Sequence, residues 1–190
     1  MKRIGQNFGF LLLFLVAVSC GKKEYEPLSQ EEKTAFLILG DSISGEAQKT
    51  LLQNVSKAMQ AGGPEYAVDF CHLEAMPLTD SISLKHGVSI RRLTDKNRNP
   101  ENRIRTDDDK EAWEYIKAEK NEFIRQDQDG SVSYYKPINI GMETCLTCHG
   151  KPGKIPAETL EIIRQKYPED LATGYEMGDL RGMWKITMKK

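Results

Sequence analysis

Apolar and polar positions recur with different periods along the chain. From Ile43 to Met59 the apolar residues Ala47, Leu51, Leu52, Val55 and Met59 fall at helical spacing. Gly62-Gly63-Pro64 breaks that pattern, and Pro64 suits the first position of a second helix, expected to run to Met76 and to stop at Pro77. Ala67, Cys71 and Ala75 stand four apart and share one face of it, where small side chains let a flat group lie close. Val88 to Leu93 alternates as a strand does. A polar loop follows from Lys96 to Arg105, around Asn99-Pro100. Thr106 and the aspartates Asp107, Asp108 and Asp109 suit a helix start by capping and by the helix dipole. Trp113, Ile116 and Phe123 carry that predicted helix to about Arg125. Asp129-Gly130 predicts a hairpin turn into a strand from Val132 to Ile140. Pro156 to Tyr167 reads as a short helix, Gly174, Gly178 and Gly182 as turns, and Gly182 to Met188 as a last strand. Helices come first and strands gather later, which predicts an α+β fold with an antiparallel sheet.

The N-terminus carries a different pattern. Lys2 and Arg3 precede an apolar run from Phe8 to Val18 that is broken only by Gly9. A span needs about 20 apolar residues, so this run reads as a secretory signal peptide. Ala17-Val18-Ser19-Cys20 resembles the lipobox of bacterial lipoproteins, which implies that Cys20 is the first mature residue and carries acyl chains. At ~0.8 kcal/mol per buried CH₂, two or more chains anchor stably. Plain secretion, with Cys20 lost, is the alternative. Gly21 to Thr34 is polar and contains Pro27, as a tether does. The expected organisation is a signal peptide over 1–19, a lipidated tether over 20–38 and a domain over 39–190. The protein is thus expected to be exported to the cell envelope, facing the periplasm. With 27 basic and 28 acidic side chains the charge balance gives no reason to expect nucleic acid.

Cys145-Leu146-Thr147-Cys148-His149 is C-x-x-C-H, the c-type haem attachment sequence. Two thiols must each add across a vinyl group on neighbouring pyrroles, and two intervening residues give about that separation. The next residue then offers an imidazole to the iron. The motif predicts one covalent haem c on Cys145 and Cys148, ligated by His149. Competing readings are a redox-active C-x-x-C, a disulfide, and a zinc site recruiting Cys71 and His86. Gly150-Lys151-Pro152-Gly153 follows the motif where a redox C-x-x-C would open a helix. If Cys20 is lipidated and the motif holds a porphyrin, Cys71 has no partner. It reads either as an inert buried thiol or as the second axial ligand, a role for which His72, His86, Met177 and Met183 also qualify.

An ordered series of motifs accompanies these residues: Ala67-Val68-Asp69-Phe70-Cys71, Gly87-Val88-Ser89-Ile90-Arg91-Arg92, Asn97-Arg98-Asn99-Pro100-Glu101-Asn102, Cys145 to Gly150, and Gly174 to Gly182. The series resembles the Tll-like family of c-type haem domains and covers most of residues 40–188. The sequence departs from it at Leu93-Thr94, where Thr-Ser is usual. The resemblance implies a PAS-like α+β domain, its antiparallel sheet flanked by N-terminal helices. It also implies a haem iron held by the motif histidine and, unusually, by a cysteine, which by position is Cys71. His72 is the rival ligand but points about 100° away around the helix. Arg91, Arg92 and Arg98 are candidate partners of the haem propionates.

A thiolate is an anionic donor that favours ferric iron. With both axial positions filled no enzyme activity is expected. A sulfur that leaves on reduction would open the iron to CO or NO, which predicts a redox or gas sensor. The alternative is a single-electron-transfer lipoprotein; a cytochrome c′-like bundle fits less well, because the late strands argue against it. No output module follows Lys190, so the sensor reading expects a separate signalling partner, and the carrier reading a redox partner.

Overall fold

The computed structural model describes residues 25–190. The expected signal peptide over 1–19 and the lipidated Cys20 lie outside the described residues. Ser29 opens the first element with a capping box, its hydroxyl accepting from the Glu32 N–H while the Glu32 carboxylate accepts from the Ser29 N–H. Helix α1, Gln30–His86, therefore begins inside the stretch expected to be tether. It is two helices joined at Gly62 and Gly63, whose backbone is not helical. Gly63 sits at φ 73°, a left-handed conformation that disfavours any side chain. The chain folds back there. Ile82 packs with Ile43 and Ala47, and Glu46 pairs with Lys85 at 2.7 Å and His86 at 2.9 Å.

Pro77 does not end the second half, contrary to expectation. Its missing N–H leaves the carbonyl of Leu73 without an intrahelical partner, and Leu73 is 66% exposed, where water is at hand. Ala75, Thr79 and Ile82 continue the buried face past the proline, and the helix stops at Gly87, a left-handed cap.

A four-stranded antiparallel sheet of order β1-β4-β3-β2 forms the centre, from β1 (Ser89–Leu93), β2 (Phe123–Gln126), β3 (Val132–Asn139) and β4 (Leu180–Met188). Strand alternation divides its side chains between two cores. Ile90, Tyr134, Trp184, Ile186 and Met188 face α1, packing on Ile43, Ala47 and Ile82. Leu93, Tyr135 and Met183 face α2 (Asp107–Glu119), packing on Ala112, Trp113 and Ile116. This is the expected α+β architecture, helices with an antiparallel sheet.

Helix α2 starts as expected, with the Thr106 hydroxyl accepting from the Asp109 N–H, but it ends at Glu119 rather than near Arg125. Lys120 closes it in a left-handed conformation, φ 57°. Phe123, which sits at helical spacing from Ile116, instead belongs to β2 and stacks on Tyr135 across the hairpin at 5.0 Å. The hairpin turn lies at Asp129-Gly130, Gly130 having φ 84°. The cysteine motif is itself helical, α3 (Glu143–His149), and α4 (Ala157–Lys166) lays Ile163 against Val68 in the second half of α1. Among the described residues no helix is long and apolar enough to cross a membrane.

Candidate functional site

The motif helix α3 puts Cys145 and Cys148 one turn apart, so both thiols face the same way. Both are half-buried and free of disulfides. Cys148 packs against Val68, Ile163 and Tyr167, and burial pushes its thiol up to about 11. Helix α3 ends at Gly150, where the chain turns away.

His149 closes α3 and is held from outside it. Its Nδ1 lies 2.7 Å from the carbonyl oxygen of Ala172. A carbonyl can only accept, so Nδ1 carries the proton and Nε2 keeps its lone pair, the tautomer a metal requires. Burial, with Arg98, Arg181 and Arg92 nearby, holds the imidazole well below the usual histidine value. It is therefore neutral and ready to donate.

The segment carrying Ala172, between α4 and β4, is strapped to the motif by backbone bonds: Tyr175 N–H donates to the His149 carbonyl and Gly174 N–H to the Gly150 carbonyl. Arg98 locks this strap. Its guanidinium grips Asp170 through two N–H···O bonds of 3.1 and 3.2 Å and donates to the Cys148 carbonyl at 2.7 Å. Asp170 also accepts from the Ala172 N–H. The two side chains are only 11% and 8% exposed. Breaking a buried ion pair by removing one partner costs about 3–5 kcal/mol. Arg98→Ala is thus expected to lower the melting temperature by roughly 10 °C at ~2–4 °C per kcal/mol. Thermal unfolding checks this, and a shift of a degree or two would show that the clamp contributes little.

Cys71 approaches the same place from the second half of α1. It is half-buried between Ala67 and Ala75, both buried. Burial raises its thiol pKa, while Arg92 and Arg98 pull the other way. Cys148 and Tyr167 both feel its charge, which places Cys71 with the motif. The rivals are elsewhere. His72 is exposed and meets Tyr167 edge-on at 5.1 Å. His86 is tied to Glu46. Met183 is buried in the core on the α2 face, and Met177 lies in an exposed turn. Among the described residues no three His, Cys, Asp or Glu side chains are grouped as a metal ion would need, so the zinc reading on Cys71 and His86 gains no support.

The three arginines singled out in the sequence part company. Arg92 shares the α1 face of β1 with Ile90; Arg91 points the opposite way and donates to the Glu101 carbonyl. Arg98 is committed to Asp170. Arg92 alone has a buried Nε with no partner. Sequence reasoning missed Arg181, in β4, which has the same character and lies near His149. Its position within the glycine-spaced end, Gly178 to Gly182, was the available signal.

The sequence profile of the Tll0287-like family matches residues 23–189. The chain belongs to the Tll0287-like family. Among solved structures, the crystal structure of the cyanobacterial heme-protein Tll0287 is 29% identical and superposes with a TM-score of 0.59, covering 86% of this chain and 98% of that one. Among curated proteins none matches. The family's arginine-asparagine-proline loop and glycine-rich end are the segments that supply Arg98 and the strap at His149 here.

Proposed function

We propose that the chain binds one haem c covalently and serves as a redox or gas sensor in the cell envelope. The observation that carries haem binding is the neutral His149, its Nδ1–H spent on Ala172 beside two free thiols one turn apart. The residues fit the group. Cys145 and Cys148 would supply the two thioethers, His149 the proximal nitrogen, Cys71 a sulfur on a face of small residues, and Arg92 and Arg181 two cations whose buried Nε atoms have no partner. A haem contributes one-electron chemistry and a site for small ligands.

Cys71 favours the sensor. Burial works against its anion, and Arg92 and Arg98 work in its favour. Cys71 could hold a ferric iron as an anionic sulfur donor, and the haem would supply one-electron chemistry and, where that sulfur let go, a position for CO or NO. The electron-carrier reading draws on a different observation: Met142, Glu143 and Thr144 are exposed just ahead of the motif, which keeps it near solvent and within reach of a redox partner. Neither role is enzymatic. Absorption and EPR spectra of the purified protein, followed by CO addition after reduction, test the proposal. Covalent haem with a thiolate low-spin signal and rapid CO binding supports the sensor. Covalent haem with no CO binding and fast electron self-exchange favours the carrier, and haem-free protein defeats both.

The envelope location rests on residues 1–20 alone. Cys20→Ala is expected to block processing or to release the protein from the membrane fraction. Palmitate labelling that persists in Cys20→Ala would overturn the lipobox reading, and wild type that takes up no label would leave plain secretion.

A further inference from the structure

We infer that Arg92 and Arg181 form a two-cation cradle for the two carboxylates of the bound haem. This rests on the haem reading above and assigns residues that it leaves open.

Three guanidinium groups gather at the motif: Arg98 donates to the Cys148 carbonyl at 2.7 Å, Arg181 stands over Tyr175, whose ring meets His149 edge-on at 6.3 Å, and Arg92 stands over Trp184 on the α1 face that also carries Cys71. Of these three, only Arg98 has an ion pair among the described residues. The Nε atoms of both Arg92 and Arg181 are buried and make no hydrogen bond. Arg92 has its guanidinium 6.0 Å from the Trp184 ring; Arg181 has Tyr175 at 5.5 Å and donates to the Lys96 carbonyl at 3.2 Å. A π-face or a single carbonyl does not neutralise a buried cation, and a buried charge without a partner costs several kcal/mol. Two such cations side by side also repel each other. The haem-free site is therefore electrostatically incomplete by two negative charges.

Haem carries two propionates, and a guanidinium fork matches a carboxylate. Arg92 and Arg181 occupy positions on neighbouring strands, since β1 pairs directly with β4. The register sets Arg92 opposite Trp184, and a bulge falls at Arg181, where Ile138 pairs with Gly182 and Asn139 with Leu180; the alternation shifts there by one, so that Leu180 joins Met183 on the α2 face and Arg181 turns to the face of Arg92. Rigid strands preorganise both guanidiniums before any ligand arrives. Arg98 is excluded because Asp170 already neutralises it, and Arg91 because strand alternation turns it away to Glu101. The cradle thus separates two cationic roles: Arg98 positions the histidine, and Arg92 and Arg181 receive the ligand's anions.

The test compares haem-loaded and haem-free full-length protein carrying Arg92→Gln, Arg181→Gln, Arg92→Lys, Arg181→Lys or the control Arg91→Gln. Resonance Raman propionate-bending bands and thermal unfolding are read on each. The cradle predicts that Arg92→Gln and Arg181→Gln shift the propionate bands. They should also raise or preserve the melting temperature of the haem-free form while lowering that of the loaded form. The one-electron equilibrium should move about tenfold toward the ferric state, ~59 mV, as positive charge is lost near the iron. The lysine variants should restore the potential while leaving the propionate bands altered, because a point charge replaces a fork. Arg91→Gln should change none of these. Wild-type bands in both glutamine variants, with equal melting shifts in loaded and haem-free forms, would overturn the cradle while haem binding stands. A wild-type protein that takes up no haem would overturn the haem reading and the cradle with it.

Discussion

A chain carrying Cys145→Ala and Cys148→Ala is expected to leave a working cytochrome c maturation system with no haem that survives acid-acetone extraction, while the wild type keeps its haem through the same treatment. The basis is geometric. The two thiols are separated by one helical turn of α3, and Cys148 is set into a packed cluster with Val68, Ile163 and Tyr167. Side chains at that spacing lie about 5–6 Å apart, the separation a pair of neighbouring vinyl groups needs. A metal site would instead require thiolates. Burial in that cluster holds the Cys148 thiol up at about 11, which works against a thiolate–metal site. Each single variant is expected to retain one thioether, and so to keep covalent haem with a red-shifted spectrum. Wild-type protein that emerges with zinc and no haem would sink the central reading.

Much of the fold and part of the site were legible in the sequence, and the boundary between legible and hidden is physical. The break at Gly62-Gly63, the strand over Ser89–Leu93, the Asp129-Gly130 turn and the last helix and strand follow from local pattern, and the structure has each of them. The errors came where tertiary contacts override local signals. Pro77 normally stops a helix, but the buried face through Ala75, Thr79 and Ile82 carries the helix across it. Phe123 fits a helical period by coincidence, and Tyr135 on the facing strand claims it. The seven-residue helix α3 has no amphipathic pattern and no capping side chain at Met142, so nothing local announces it.

In the site, the cysteines and His149 are adjacent in sequence and were readable. The Arg98–Asp170 clamp joins residues 72 apart, and only the folded chain brings them together. Strand parity could have separated Arg91 from Arg92 beforehand. Which of the two faces inward depends on Ile90 packing against α1, a contact outside any local window.

Cys71→Ala is expected to convert a closed, low-potential iron into an open one. Ferric wild-type protein should give the low-spin EPR signal of histidine–thiolate ligation, and the variant should lose it. The reduction potential should rise by well over the ~59 mV that marks a tenfold change, because the anionic donor that stabilises the ferric state is gone. CO should then bind the reduced variant without waiting for a ligand to leave. Cys71→Ser should behave alike, since a neutral hydroxyl is a weak donor. The second half of α1 is what makes this specific. It places Cys71 with Cys148, Arg92 and Arg98, and flanks it with Ala67 and Ala75, which take up little room beside it. His72→Ala should leave the spectrum nearly unchanged, because that ring is exposed and already packs edge-on to Tyr167. His86→Ala should do the same, since its imidazole is held by Glu46 at 2.9 Å. The outcome that defeats the thiolate assignment is a wild-type spectrum in Cys71→Ala together with its loss in His72→Ala or Met177→Ala. A bis-histidine or histidine–methionine iron would have no releasable anion, and the protein would then be read as an electron carrier. If the thiolate signal is present, the rate of CO binding to reduced wild type decides between the two roles. Binding that proceeds with loss of the sulfur ligand identifies a switch, and a reduced iron that stays six-coordinate identifies a carrier.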